Sequence, residues 1–212
     1  MLDVKILSVG PVQANCYIVS NDKKDCIIFD PGEEGDKIIS TIQSYQLQPI
    51  AIFLTHAHFD HIGAVDDVRD AFHIPVYIHE EEADWLTDAN KNGSGKYLEL
   101  PNYIMKPADH IINKEQSFEV GGMKFKAIFT PGHSPGSVSY VFEESNFAIV
   151  GDTLFQGSIG RTDLVGGSLE VLLRSIHEKL LVLPEDCIIY PGHGSFTTPS
   201  YEMEMNPFLH GF

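Results

Sequence analysis

Residues 50–61 decide the reading: Ile50-Ala51-Ile52-Phe53-Leu54-Thr55-His56-Ala57-His58-Phe59-Asp60-His61. The first five are apolar without interruption, the composition of a strand buried on both faces. The stretch then delivers three imidazoles and one carboxylate within six residues. A rigid strand leading into a loop at a sheet edge would hold them there. Alternation puts His56, His58 and Asp60 on one side while the chain stays extended, and His61 turns away as a helix begins. Four ligand-type groups on so short a segment cannot all serve one small ion. They suit two ions a few ångströms apart, each taking part of the set.

Three later segments have the same form, an apolar strand running into a Gly-rich turn that bears a ligand-type residue. Residues 125–129 lead into Thr130-Pro131-Gly132-His133-Ser134-Pro135-Gly136, and residues 147–150 into Gly151-Asp152-Thr153-Leu154-Phe155. Residues 187–190 lead into Pro191-Gly192-His193-Gly194. Glycine lets the backbone approach closely or take positive φ, which helps aim a side chain into a shared cleft. Each turn alone is ordinary. Their recurrence in order after the His-rich stretch is what points to one site.

Outward from these segments, the pattern predicts short strands at 4–9, 16–19 and 26–29, then a helix at 36–45 with Ile38, Ile39 and Ile42 at helical spacing. A helix follows at 63–72, a strand at 76–78 and a short acidic helix at 80–87. Residues 88–109, rich in Asn, Gly, Lys and Pro, read as a long loop. With Trp85, Tyr97 and Tyr103 nearby, that loop is placed to cover the cleft and supply specificity. Strands resume at 117–120, 123–129, 138–142 and 147–150, with Gly121-Gly122 as a tight hairpin. The span 168–181 reads as a helix, N-capped by Ser168, with Leu169, Leu172, Leu173, Ile176 and Leu180 on one stripe. A last strand at 187–190 precedes a short C-terminal segment. Strands and helices in this order fit an α/β (α+β) domain of two mixed sheets covered by helices.

Composition bounds the function. A length of 212 residues suits one compact domain spanning 1–212, and 43% hydrophobic residues supply a sizeable core. The formal net charge is −16. Such a surface repels phosphate backbones and anionic membranes, so nucleic acid and membrane are not expected partners. Cys16, Cys26 and Cys187 are scattered in apolar runs and read as buried small hydrophobes, which suits a reducing cytoplasm. The start, MLDVKILSVG, does not read as a signal peptide, and no apolar run is long enough to span a membrane. His73, His79, His110, His177 and His210 match none of the motif positions and read as structural or solvated.

Taken together, these residues resemble the metallo-β-lactamase fold superfamily: His-x-His-x-Asp-His, Gly-His, Gly-Asp and a late Gly-His occur in the family's order across residues 56–193. THAHFDH, TPGHSPGS, GDTLFQGSIGRTDL and the ending NPFL look most like small glyoxalase II-like hydrolases. The resemblance implies a four-layer αβ/βα sandwich of two mixed β-sheets flanked by helices. It also implies two divalent ions, zinc foremost, with iron or manganese as alternatives. Position by position it assigns His56, His58 and His133 to one ion and Asp60, His61 and His193 to the other, with Asp152 bridging. The implied reaction is hydrolysis of a small thioester by a bridging hydroxide, with Asp60 and Asp152 as the catalytic carboxylates.

Thr55, Thr130 and Ser134 are candidates to hydrogen-bond the ligands. Arg161, in Gly160-Arg161-Thr162-Asp163, either returns to the cleft to hold an acidic group or a substrate carboxylate, or makes a surface ion pair. The chain departs from full-length glyoxalase II enzymes in having 19 residues after His193 and Gly194-Ser195 where a Glu-Tyr pair is usual. These departures direct attention to another thiol carrier or to small thioesters in general. Two rivals share the fold. One is a persulfide dioxygenase with a single iron on His56, His133 and Asp152; the other is a lactonase or β-lactamase. The expected partner is a small-molecule substrate, and the oligomeric state is left open.

Overall fold

The computed structural model describes residues 2–96 and 101–210, so Tyr97, one of the aromatic residues assigned to the cover, lies outside the described residues. The chain divides into two compact units, residues 1–113 with 119–123, and residues 114–118 with 124–212.

The first unit is built on a six-stranded sheet whose spatial order follows the chain: β1 (Asp3–Val9), β2 (Ala14–Ser20), β3 (Asp25–Phe29), β4 (Gln48–Phe53), β5 (Val76–His79) and β6 (His110–Ile112). The first three strands pair antiparallel and the rest parallel, so the sheet is mixed. Parallel neighbours need crossovers, which the helices provide. The first, α1 (Gly35–Ser44), connects β3 to β4 and buries Ile38 and Ile42. Next, α2 (Phe59–Ile62) and α3 (Val65–Phe72) stand between β4 and β5. The helix predicted over 63–72 is α3, and a further short helix before it carries Asp60 and His61. The acidic stretch Glu80–Thr87 is a 3₁₀ helix. It is capped by His79, whose ring nitrogen accepts the Glu81 N–H at 3.1 Å. Burial holds His79 below its ordinary range, which keeps it the neutral acceptor that this bond requires.

The predicted loop 88–109 has an interior of its own. Asn92 is fully buried. Its side-chain amide donates to the Trp85 and Tyr103 carbonyls at 3.1 and 2.8 Å, and its side-chain oxygen accepts from Ser94 Oγ at 2.7 Å. Its backbone carbonyl accepts the Phe59 N–H at 3.0 Å. Tyr103 donates to Glu33 and stacks on Phe59 at 6.0 Å. This segment therefore packs on the start of α2.

The second unit carries a five-stranded mixed sheet in the order β13-β10-β9-β8-β7. Its strands are β7 (Gln116–Val120), β8 (Met123–Phe129), β9 (Val138–Phe142), β10 (Phe147–Gly151) and β13 (Ile188–Pro191). A two-stranded hairpin, β11 (Leu154–Phe155) with β12 (Ser158–Ile159), follows β10. Phe118, Phe125, Phe142 and Phe147 stack in sequence at 5.4, 5.0 and 4.4 Å. The helix expected at 168–181 is α4 (Leu169–Ser175) continued as a π-helical segment, Ile176–Leu180, and Ser168 caps it by accepting the Val171 N–H at 3.4 Å. Leu172, Leu173, Ile176 and Leu180 are buried, but Leu169 is 49% exposed, because the helix meets the core only from its second turn. The C-terminal segment forms α5 (Pro199–Met205), capped by Thr198 and started by proline at its first position.

The two mixed sheets and their helices are the fold class expected from the sequence. All three cysteines are buried free thiols. Among the described residues, no helix is long and apolar enough to cross a membrane.

Candidate metal centre

In the first unit, β4 delivers the chain into the His-rich turn. His56, His58 and His61 are buried, and Asp60 is largely so. The His56 ring lies 4.8 Å from that of His58 and 4.2 Å from that of His61. Asp60 Oδ2 lies 3.5 Å from His61 Nε2.

What orders this turn is Asp30, in the Asp30-Pro31-Gly32 stretch directly after β3. It follows β3 with a φ of 50° and is fully buried. Its carboxylate accepts three hydrogen bonds, from Thr55 N–H at 2.7 Å, Thr55 Oγ1 at 2.6 Å and His61 Nδ1 at 3.0 Å. Because the Thr55 hydroxyl gives its proton to Asp30, it must accept at its other contact, His56 Nδ1 at 3.0 Å. Both rings thus hold their proton on Nδ1 and present the Nε2 lone pair, the form in which imidazole binds a metal. Asp30, His56 and His61 form a tight group whose potential ligand atoms lie within 4.8 Å of one another. Since Asp30 faces the Nδ1 side of the rings, it positions ligands and is not one itself.

Two further features fix the turn. Buried Glu82 accepts the Ala57 N–H at 2.5 Å, between the first two histidines. At Gly32, a Cβ would sit 1.8 Å from the Asp60 carbonyl oxygen, so only glycine lets the two backbones pass.

In the second unit, β8, β10 and β13 each end in a turn carrying one of the other predicted residues, His133, Asp152 and His193. Asp152 Oδ2 lies 3.5 Å from His133 Nε2 and 3.6 Å from His193 Nε2, so one carboxylate oxygen stands between two imidazoles. His133 donates from Nδ1 to the Arg161 carbonyl at 2.8 Å, which again leaves Nε2 as the lone-pair nitrogen. The Arg161 side chain makes a two-pronged, exposed pair with Asp163, both contacts at 2.7 Å, and this hydrogen bonding holds the Asp163 carboxyl down to about 2. Thr130 Oγ1 contacts Ser139 Oγ and receives Thr153 Oγ1, and Ser134 Oγ contacts Ser137 Oγ. These hydroxyls brace the turns rather than the rings.

The spacing of these donors tests whether they fit a metal. Two ligands of one ion, each ~2.0–2.2 Å from it in tetrahedral geometry, stand ~3.3–3.6 Å apart. The pairs at 3.5, 3.5 and 3.6 Å match that separation and are too long for hydrogen bonds. The donor sets therefore fit a divalent cation.

Fold and donor sets together define a metal-dependent hydrolase scaffold. The chain belongs to the metallo-beta-lactamase superfamily, whose pattern matches residues 9–193. It is 53% identical to a probable metallo-hydrolase of Bacillus subtilis (strain 168), YqgX, over 97% of both chains. It is 36% identical to the hydroxyacylglutathione hydrolase GloC of Haemophilus influenzae, over 98% of both. Among solved structures it is similar to the BLEG-1 B3 metallo-beta-lactamase, with a TM-score of 0.96, 51% identity and full coverage of both chains. It is also similar to TTHA1623 in a di-iron-bound form, with a TM-score of 0.83, 36% identity, and 97% and 100% coverage.

Proposed function

We propose that this protein is one catalytic domain that hydrolyses small thioesters. In this reading two divalent ions, zinc foremost, are held by His56, His58, Asp60, His61, His133, Asp152 and His193. The observation that carries it is Asp152 Oδ2 standing between two imidazole nitrogens, as a bridging ligand must. The di-iron form of a relative supports a two-ion centre and keeps iron as the alternative metal. GloC, similar along almost its whole length, supports the thioester.

When bound, such ions supply Lewis acidity toward an acyl oxygen and lower the pKa of water. The chain's own residues do the rest. Asp30 and the Arg161 carbonyl keep His61 and His133 from swinging, and Thr55 does the same for His56. Asp60, beside His61, orients the attacking water by accepting its hydrogen bond. Gly132-His133-Ser134-Pro135-Gly136 has the letters of a Gly-x-Ser-x-Gly elbow, but it turns from strand to strand rather than from strand to helix, and Ser134 is fully buried with its Oγ on Ser137 Oγ, so no serine nucleophile is invoked. The 88–109 segment, whose Asn92 and Tyr103 contact Phe59 at the start of α2, shapes acyl-group preference. A net charge of −16 argues for a small-molecule partner rather than nucleic acid, and the buried free thiols suit the cytoplasm.

The test is elemental analysis of purified protein followed by a thioester panel that includes S-lactoylglutathione, with a β-lactam and a thiol persulfide as the other arms. Two ions per chain and preferred thioester turnover are expected. One iron per chain with O₂ uptake on the persulfide would overturn the reading. So would preferred turnover of the β-lactam, the activity in the name of the 51% identical BLEG-1.

A further inference from the structure

The ending Asn206-Pro207-Phe208-Leu209 and the helix before it lie outside the ligand set, yet the second unit buries a polar cluster there. Glu202, on α5, is fully buried. Its carboxylate accepts the Gly157 N–H at 3.0 and 3.2 Å, the Asn206 side-chain amide at 2.7 Å, and the Thr197 hydroxyl. Asn206, also fully buried, donates as well to the Ser158 carbonyl at 3.0 Å. A buried carboxylate is costly unless its lone pairs are satisfied, and here donors from three separate segments satisfy it.

Two of those segments adjoin proposed ligands. Gly157 and Ser158 are the turn of the β11–β12 hairpin, which begins two residues after Asp152. Thr197 closes the loop that bears His193, pairing with Ile189 through two backbone bonds at 2.8 and 3.0 Å. The two ligand turns leave paired strands, with Gly151 opposite Pro191; beyond that pair Gly192 N–H donates to the Gly151 carbonyl at 2.7 Å, and the Phe155 ring packs 6.2 Å from that of His193. These contacts lie at the strand ends, near the base of both loops. Glu202 adds a tie at the far ends of both loops, on Gly157 and Thr197.

We propose that Glu202, with Asn206 and Thr197, is the positioning residue that sets His193 against Asp152. It acts by binding the hairpin and the His193 loop to one carboxylate. The C-terminal helix is then part of the metal machinery at one remove. This rests on the proposed function only in taking His193 and Asp152 as ligands.

The test uses full-length Glu202→Gln, with Thr197→Val as a milder variant that removes one donor, and Thr197→Ser as the rescue. In metal-stripped protein, the His193 ring resonances are expected to shift or broaden in both loss variants while those of His79, in the first unit, stay in place. Thr197→Ser should restore the wild-type spectrum. On titration with zinc against a chromophoric chelator, the weaker ion should lose at least tenfold in affinity and the tighter one less than twofold. Unchanged His193 resonances would overturn the proposal, as would equal loss of both ions. A wild-type protein that takes up only one ion would instead sink the two-ion reading, and the metal-free spectra would still judge the brace.

Discussion

At the scale of single residues, the centre depends on groups that never touch a metal. Asp30 receives three donors, and two of the imidazoles depend on it, one directly and one through Thr55. Asp30→Asn keeps the shape but replaces one acceptor oxygen with a donor, which opposes either Thr55 or His61. Removing such an outer partner typically costs about 10–100-fold in metal affinity. A loss in that range is expected by chelator competition, and unchanged affinity would show that the rings are held by packing alone. The candidate ligands could be picked out because imidazoles and carboxylates stand at close spacing after apolar strands. Asp30 has the same placement, directly after the apolar run Cys26-Ile27-Ile28-Phe29, but Asp30-Pro31-Gly32 is also ordinary turn chemistry. Glu82 was unreadable, because nothing in a run of three glutamates marks which one turns inward.

At the scale of elements, strand ends aim the ligands and close backbone approaches fix them. At Gly160 a Cβ would stand 1.9 Å from the Asp152 carbonyl oxygen and 3.1 Å from His133 Cβ. Gly160→Ala must therefore push apart the two chains that carry these ligands. A stability loss of about 1–3 kcal/mol is expected in metal-free protein by urea unfolding, together with weakened metal uptake. Wild-type behaviour in both measurements would contradict the crowding argument. The long elements were legible from periodicity, and the short ones were not. His110–Ile112 is only three residues long and joins its sheet by parallel pairing with β5, a partner no local pattern reveals. Likewise α5 is seven residues whose opening proline reads as a breaker until Thr198 is seen to cap it.

At the scale of the whole molecule, both units bury thiols in a strongly acidic protein. Burial, reinforced by neighbouring aspartates, pushes Cys26 up to about 12 and Cys187 to about 11, against an ordinary value of 9.0, and Cys16 further still. The sign follows from proton counting. Above about pH 9 the unfolded chain sheds thiol protons that the folded chain keeps, so folding loses stability as pH rises. The urea midpoint should therefore fall between pH 8 and pH 10 more steeply than in a variant with all three cysteines replaced by alanine. Equal slopes would mean that other groups govern alkaline unfolding. Composition foretold the buried thiols correctly, since each lies in an apolar run.

The two ways of holding an imidazole leave different scars on evolutionary drift. His61 leans on a side chain, so a substitution at position 30 can remove its support. His133 leans on the carbonyl of Arg161, an atom that every amino acid possesses. Lineages can rewrite position 161, and with it the local surface charge, without giving up that support. One support is thus tied to a particular side chain and the other to the backbone path, so a substitution can abolish the first while the atom that gives the second stays in place.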